Sequence, residues 1–411
     1  MTTEPPRRRA ALGFILATVF LDAVSFGMVF PILPRLVLEL SGGDTADAAR
    51  AVGLIGAVWA LTNFVGAPVL GALSDRFGRR PVILVSTFGF ALDMLFMGFA
   101  PTLAWLFIGR ALSGLTAASY AAASAYIADV TPPDQRAQRF GLVFAVSSAG
   151  MILGPAMGGL LGEISPRAPF FAGAGLAAVA WLYGLLILPE SLAPDLRTKG
   201  PMRPTNPLRA FGILTRDKSL LGLASVGMLI QLGGHSINTL FVLYMAFRYQ
   251  WGPGQVGVLL MVFSAGNIVV MGFLGPRLVR WLGERTTLIA GLALSAGGFA
   301  VMGLSQTSTQ FCLACVLTCV GNICSPPLQA LQTRRVGPSE QGRLQGALGG
   351  LGGLTGFVAP IFFTQVFAWS IASAFAPGGP GLAMLIGASL LVAATTLAVA
   401  VTRPVRATSQ A

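Results

Sequence analysis

Three charged residues stand inside apolar stretches of this sequence: Asp22, Asp93 and Arg110. A charge at the centre of a bilayer costs about 2.5–3.5 kcal/mol on insertion scales, so such a residue usually faces a cavity and has a task. A carboxyl group there can take up and release a proton. Asp22 is the prime candidate for that exchange, with Arg110 as its neighbouring cation if the helices carrying the two face each other. His235 is the only histidine and titrates near neutral pH in water; it can couple protons, line a cavity or simply pack. Gln231, Asn267, Asn322 and Gln329 are further polar residues in apolar runs. They suit a substrate cavity and helix–helix hydrogen bonds equally well.

The elements that must hold these residues are spanning helices. The chain has 411 residues, of which 54% are hydrophobic and 10% charged, and its mean hydropathy is +0.75. Soluble domains carry roughly 25% charged residues. One crossing takes about 20 apolar residues, and such stretches follow one another almost from end to end. Alternating apolar runs and charged gaps predict twelve helices, near 10–34, 51–73, 81–100, 103–126, 140–164, 169–189, 218–245, 253–275, 286–305, 309–331, 343–368 and 381–403. The longest polar stretch, 190–217, holds Pro194, Pro201, Pro204 and Pro207 among basic residues. It reads as a linker between a six-helix half at 1–189 and a second at 218–411.

The net charge of +12 is a topology signal. Arg7–Arg9, Arg76, Arg79, Arg80, Lys199, Arg203, Arg277, Arg280, Arg334 and Arg335 fall in gaps on one side, whereas nucleic-acid binding would gather them on one soluble face. Lys and Arg remain in cytoplasmic loops, which places the linker and both termini inside. The first apolar run contains Asp22 and lacks a small-residue cleavage site, so it reads as a spanning helix and not a cleaved leader. Cys312, Cys315, Cys319 and Cys324 share one apolar run. The first three could share a helix face, but no His or carboxylate lies in that helix to complete a metal site, so they read as packing residues. No catalytic triad or nucleotide loop is present, and neither an enzyme, a cofactor nor a metal is expected.

Two motifs organise the first half. Gly71-Ala-Leu-Ser-Asp75-Arg76-Phe-Gly78-Arg79-Arg80 joins helices 2 and 3; its glycines permit a tight turn, and Asp75 can pair with a nearby Arg or cap helix amides. Its counterpart near Arg277, Arg280, Gly283, Glu284 and Arg285 is degenerate, and weaker gating is expected of it. The other motif, Gly150-Met-Ile-Leu-Gly154-Pro155-Ala-Met-Gly158-Gly159, lies in helix 5, where Pro155 kinks the helix and small residues allow close packing. At an offset of 205 residues Gly78 meets Gly283, Pro133 meets Pro338, Gly141 meets Gly346 and Pro155 meets Pro360. This six-plus-six parallel repeat is an organisation of transporters that bind substrate near the midplane.

These motifs resemble those of the major facilitator superfamily. Gly-x-x-x-Asp-Arg-x-Gly-Arg-Arg is similar to the family's gating loop, and Gly154-Pro155-x-x-Gly-Gly to the motif of its drug antiporters. Leu21-Asp22-Ala-Val-Ser-Phe-Gly27, Pro31-Ile-Leu-Pro34, Gly109-Arg110-Ala-Leu-Ser-Gly114, and Gly162-Glu-Ile-Ser-Pro166 before Pro169-Phe-Phe171 resemble bacterial tetracycline-efflux proteins. The resemblance implies an all-α membrane protein of twelve helices in two pseudo-symmetric halves, a monomer in the bacterial inner membrane exchanging protons for a drug. It gives Asp22, Asp93 and Arg110 the coupling positions, and Gly71, Asp75, Arg76, Gly78, Arg79, Arg80, Gly154 and Pro155 the gating positions. Two positions depart from the family. Its helix-8 His is Asn267 here and its helix-9 Asp is Ser295, so little tetracycline export is expected. The alternative reading is an uptake symporter for a small metabolite, against which the helix-5 motif speaks.

Overall fold

The computed structural model describes residues 6–117, 119–131, 135–193, 195, 197, 211–337, 340–373 and 378–402, and among them no strand occurs. The prolines at 133, 194, 201, 204, 207 and 338, with Lys199, Arg203, Arg209, Arg403 and Arg406, lie outside the described residues. Among the described residues, ten stretches are long and apolar enough to cross a membrane. One of them, Pro253–Leu304, is 52 residues long, more than twice what a single crossing requires. In lipid a helix satisfies all its own backbone polar groups, which is why apolar sequence of this length takes that form.

The chain divides into two compact units, one of 1–205 with 242–264 and the other of 206–241 with 265–411. The first contains α1 (Pro6–Val29), α2 (Leu33–Leu40), α3 (Thr45–Phe77), α4 (Arg79–Gly98), α5 (Leu103–Thr116), α6 (Ser119–Val130), α7 (Arg136–Ile164) and α8 (Ala168–Ile187). Then follow α9 (Lys218–Asn238), α10 (Phe241–Tyr249), α11 (Pro253–Val269), α12 (Gly275–Leu304), α13 (Ser308–Gly321), α14 (Ser325–Thr333), α15 (Gln341–Ala372) and α16 (Leu382–Val401). Within the first unit α8 packs on α1 and α4; within the second, α16 packs on α9 and α12.

Local chemistry explains where helices begin and break. Asp44 accepts from the amides of Ala46 (2.7 Å) and Asp47 (2.9 Å), and this cap starts α3 six residues before the expected start of the second helix at 51. Asp217 caps α9 through Ser219, and Thr307 with Gln310 forms a capping box on α13. Pro31 separates α1 from α2, since proline donates no amide and disfavours helix in the residue before it, and Pro34 stands in the first turn of α2, where no amide partner is lost. The expected helix 10 is interrupted by a 3₁₀ turn at Asn322–Cys324, immediately before Pro326 and Pro327. The expected helix 7 breaks after Asn238. A π-helical turn, Val270–Leu274, runs α11 into α12.

The glycines of the helix-5 motif act at one interface. A side chain on Gly154 would come within 2.6 Å of the Val24 carbonyl and 2.7 Å of the Gly27 Cα. Gly150 meets Ala23 and the Phe20 carbonyl, and Gly158 meets Met28. Spaced four apart, these three share one face of α7 and seat it backbone to backbone against α1. Pro155 abuts Gly27, and its carbonyl faces Gly257 of α11. The motif therefore sets the depth and rotation of the helix that carries Asp22.

Candidate functional site

Within the first unit a cavity of about 330 Å³ opens between α1, α3, α4, α5 and α7. Asp22 lines it with Asn63, Ser86, Ser113, Thr116 and Ser147, and its apolar wall includes Phe26, Trp59, Phe90 and Met151. A mostly apolar and aromatic wall with a few convergent polar groups is the usual make-up of a small-molecule site. Two close contacts hold the walls. Gly114 lets α5 settle on the Trp59 carbonyl and the Asn63 amide of α3, and Gly66 rests on the Leu115 backbone.

Asp93 and Arg110 form a buried ion pair, Nη2 to Oδ2 at 2.5 Å, with both side chains almost wholly enclosed. Gly109 lies against the Asp93 carboxylate, so α5 can approach α4 closely enough for the pair to form. The expected arrangement had Arg110 beside Asp22. The structure gives Arg110 to Asp93 instead, because α5 packs on α3 and α4, whereas α1 packs chiefly on α7 and α8.

At the loop of Gly71–Arg80, α3 ends at Phe77 and α4 begins at Arg79, with Gly78 between them at φ 108°, ψ 165°. That conformation is essentially reserved for glycine. The Arg79 guanidinium donates to Asp75 at 2.5 Å, to Asp129 at 3.1 Å and to Ser74 at 3.2 Å. Glu190 accepts from the Arg79 amide at 2.8 Å, the Arg80 amide at 3.3 Å, and the amides of Ser191 and Leu192. A carboxylate is thus held at the N-terminus of α4, where unpaired amides and the helix dipole favour it. Arg80 donates to the Leu185 carbonyl at 2.8 Å, near the end of α8. Sequence reading missed Asp129 and Glu190. They lie 50 and 111 residues from Arg79, and the only available signal was that each stands near the end of an apolar run. Arg76 lies over the Phe77 ring, and nothing lies within 4 Å of a side chain built on Gly71.

The second-unit candidates separate into two groups. The Asn322 amide donates to Asn267 at 2.6 Å, so this pair ties α11 to the 3₁₀ turn. Gln231 and Gln329 line a cavity of about 230 Å³ with Gln332, Gln345 and Ser325, and Gln231 accepts from Thr355 at 3.2 Å. His235 is half-buried and lines neither this cavity nor that of Asp22. Ser295 is buried where α12 meets Gly321, whose added side chain would lie 2.7 Å from the Ser295 amide. Position 295 therefore sits in a helix contact in this protein, and an Asp there has little room.

Comparison with known proteins agrees with this geometry. The Major Facilitator Superfamily model matches residues 15–360. The class C tetracycline resistance protein of Escherichia coli is 38% identical over 380 residues, covering 92% of this chain and 94% of that protein. Multidrug resistance protein 1 of Bacillus subtilis is 27% identical over 339 residues, 82% of this chain and 84% of its own. In fold, the crystal structure of the nucleoside transporter NupG superposes with a TM-score of 0.77 at 14% identity, covering 96% of this chain and all of that one. Paired helical units, a Gly78 loop closed by charge pairs and a match running through most of both units lead to one assignment: the chain belongs to the Major Facilitator Superfamily, in the branch of the tetracycline resistance proteins.

Proposed function

We propose that this protein is a proton-coupled drug exporter of the bacterial inner membrane. The observation that carries the reading is Asp22, an intramembrane carboxyl on the wall of an aromatic cavity large enough for a small amphipathic molecule. Similarity over most of the chain to proteins named for tetracycline and multidrug resistance supports it. In this reading Asp22 exchanges the proton and Asp93–Arg110 holds the counter-charge. Asp75, Arg76, Arg79 and Arg80, with Gly71, Gly78, Gly154 and Pro155, govern the gate. Gln231, His235, Asn267, Asn322 and Gln329 are the second half's contribution to substrate contact.

The chain crosses twelve times in this reading. Pro253–Leu304 counts as two crossings parted at the charged segment around Gly283, and 103–130 as one. Six helices in 1–189 and six in 218–411 then flank a cytoplasmic linker at 190–217, with both termini inside. The protein acts as a monomer on drug, proton and lipid, without cofactor, metal or nucleic acid. Tetracycline is a poor substrate, because Asn267 cannot titrate or ligate a drug-bound cation as His can, and Ser295 carries no negative charge.

A susceptibility panel in an efflux-deficient host, with and without a protonophore, tests the reading. Raised resistance to at least one amphipathic drug, lost with the protonophore, is expected, with little change for tetracycline. No resistance to any compound overturns export. Strong tetracycline resistance that Asn267→His leaves unchanged removes that position as the discriminator.

A further inference from the structure

Buried hydroxyls line the Asp22 cavity on α4 and α5, the helices that carry the Asp93–Arg110 pair. Ser86 on α4 is 1% exposed, lines the cavity, and its Oγ has no hydrogen-bond partner. Thr87 beside it and Thr18, one turn before Asp22, are also buried with unpartnered hydroxyls. Buried hydroxyls nearly always have a partner, and where protein supplies none, ordered water does. Ser113 occupies the junction. It is 4% exposed and lines the same cavity as Asp22. It follows Arg110 by three residues and Gly109 by four on α5, hence on the same face, the one that meets the Asp93 carboxylate, whose Oδ1 is buried without a hydrogen-bond partner.

We propose that Ser113, with water held by Ser86, is the proton relay between Asp22 and Asp93. A hydroxyl both donates and accepts, so it can pass a proton without changing its own charge. Protonated Asp22 gives its proton to the water. The water gives a different proton to the Ser113 oxygen as the Ser113 hydrogen passes to a carboxylate oxygen of Asp93. Asp22 is left as a carboxylate and Asp93 as a carboxylic acid, Arg110 stays protonated, and water and hydroxyl are restored. One proton has moved, and the reverse sequence returns it. The Asp93–Arg110 ion pair is thereby opened by the same proton that closes Asp22's cycle.

This inference rests on the proton-coupled reading, and the experiment separates the two. Full-length protein in everted membrane vesicles is given an imposed pH gradient with ethidium or tetracycline as probe. Gradient-driven uptake is measured beside equilibrium exchange of the same probe, which needs no net proton movement. Wild type that exchanges a probe at equilibrium but shows no gradient-driven uptake of it overturns proton coupling itself. Given coupling, Ser113→Ala lowers gradient-driven uptake by about tenfold or more while exchange persists, and Ser113→Thr, which keeps the hydroxyl, restores uptake. Ser86→Ala gives a smaller loss of the same kind. Wild-type uptake by Ser113→Ala overturns the relay, and so does an equal loss of uptake and exchange, which assigns the hydroxyl to drug binding or folding.

Discussion

The loop at Gly78 and the loop at Gly283 are one backbone device with its charges reversed. Gly283 repeats the positive φ at 78°, ψ 164°, 205 residues after Gly78. At the same offset Asp75 becomes Arg280, Arg79 becomes Glu284 and Asp129 becomes Arg334. The pair Arg79–Asp129 at 3.1 Å is matched by Glu284–Arg334 at 2.7 Å, so the link survives with its polarity inverted. The support does not survive. Glu190 corresponds to Thr395, and nothing lies within 4 Å of a side chain built on Gly283, whereas one on Gly78 would overlap the Glu190 carboxylate. The intramembrane charges also belong to one unit: Asp22, Asp93 and Arg110 correspond to Gly227, Gly298 and Cys315. Turn geometry and ion-pair position are properties of the repeat, while the carboxylate cap at this loop and the buried charges are particular to the first unit.

The comparison is tested most severely at the buried charges. Asp22→Asn is expected to abolish gradient-driven export while the protein stays folded and inserted, and Gly227→Ala, whose new methyl meets only ordinary contacts, should leave export within about twofold of wild type. Export at wild-type rates by Asp22→Asn in everted vesicles would mean that the asymmetry is unrelated to coupling.

Next in size is Arg110→Met. It strands the Asp93 carboxylate, and breaking a buried pair from one side costs about 3–5 kcal/mol. The measurement is melting in detergent, where Cys315→Met, at the corresponding position, should cost clearly less.

Charge reversal asks whether polarity or pairing matters in the loop. Arg79→Glu alone sets a carboxylate against Asp75 and Asp129 and should slow transport by about tenfold, with substrate affinity changed far less. Adding Asp75→Arg and Asp129→Arg gives the second unit's polarity and should recover most of the rate. No recovery would show that the sign itself is read by something beyond the loop.

The smallest contrast is Gly78→Ala against Gly283→Ala. Both force a side chain into positive φ, at about 1–3 kcal/mol. Only the first displaces the Glu190 carboxylate, whose loss as a cap adds about 1 kcal/mol, so Gly78→Ala should have the lower melting temperature. Equal melting would place the value of Glu190 elsewhere.

By itself the sequence determined the material of the fold: apolar runs of spanning length, the gaps between them, the glycine turns and the scarcity of intramembrane charge. Those features are local, since helix periodicity, proline and glycine act within a few residues. Tertiary structure decided partnership. Asp22 and Asp93 both stand in apolar helices, and only the seating of α5 on α3 and α4 gives Arg110 to Asp93. Asp129 and Glu190 join the Gly78 loop from 50 and 111 residues away, and Ser113 comes to share a cavity with Asp22 only where α1 and α5 border it together. In a medium that offers no water to an unpaired charge, a buried group takes whichever partner packing brings within reach, and no spacing along the chain encodes that choice.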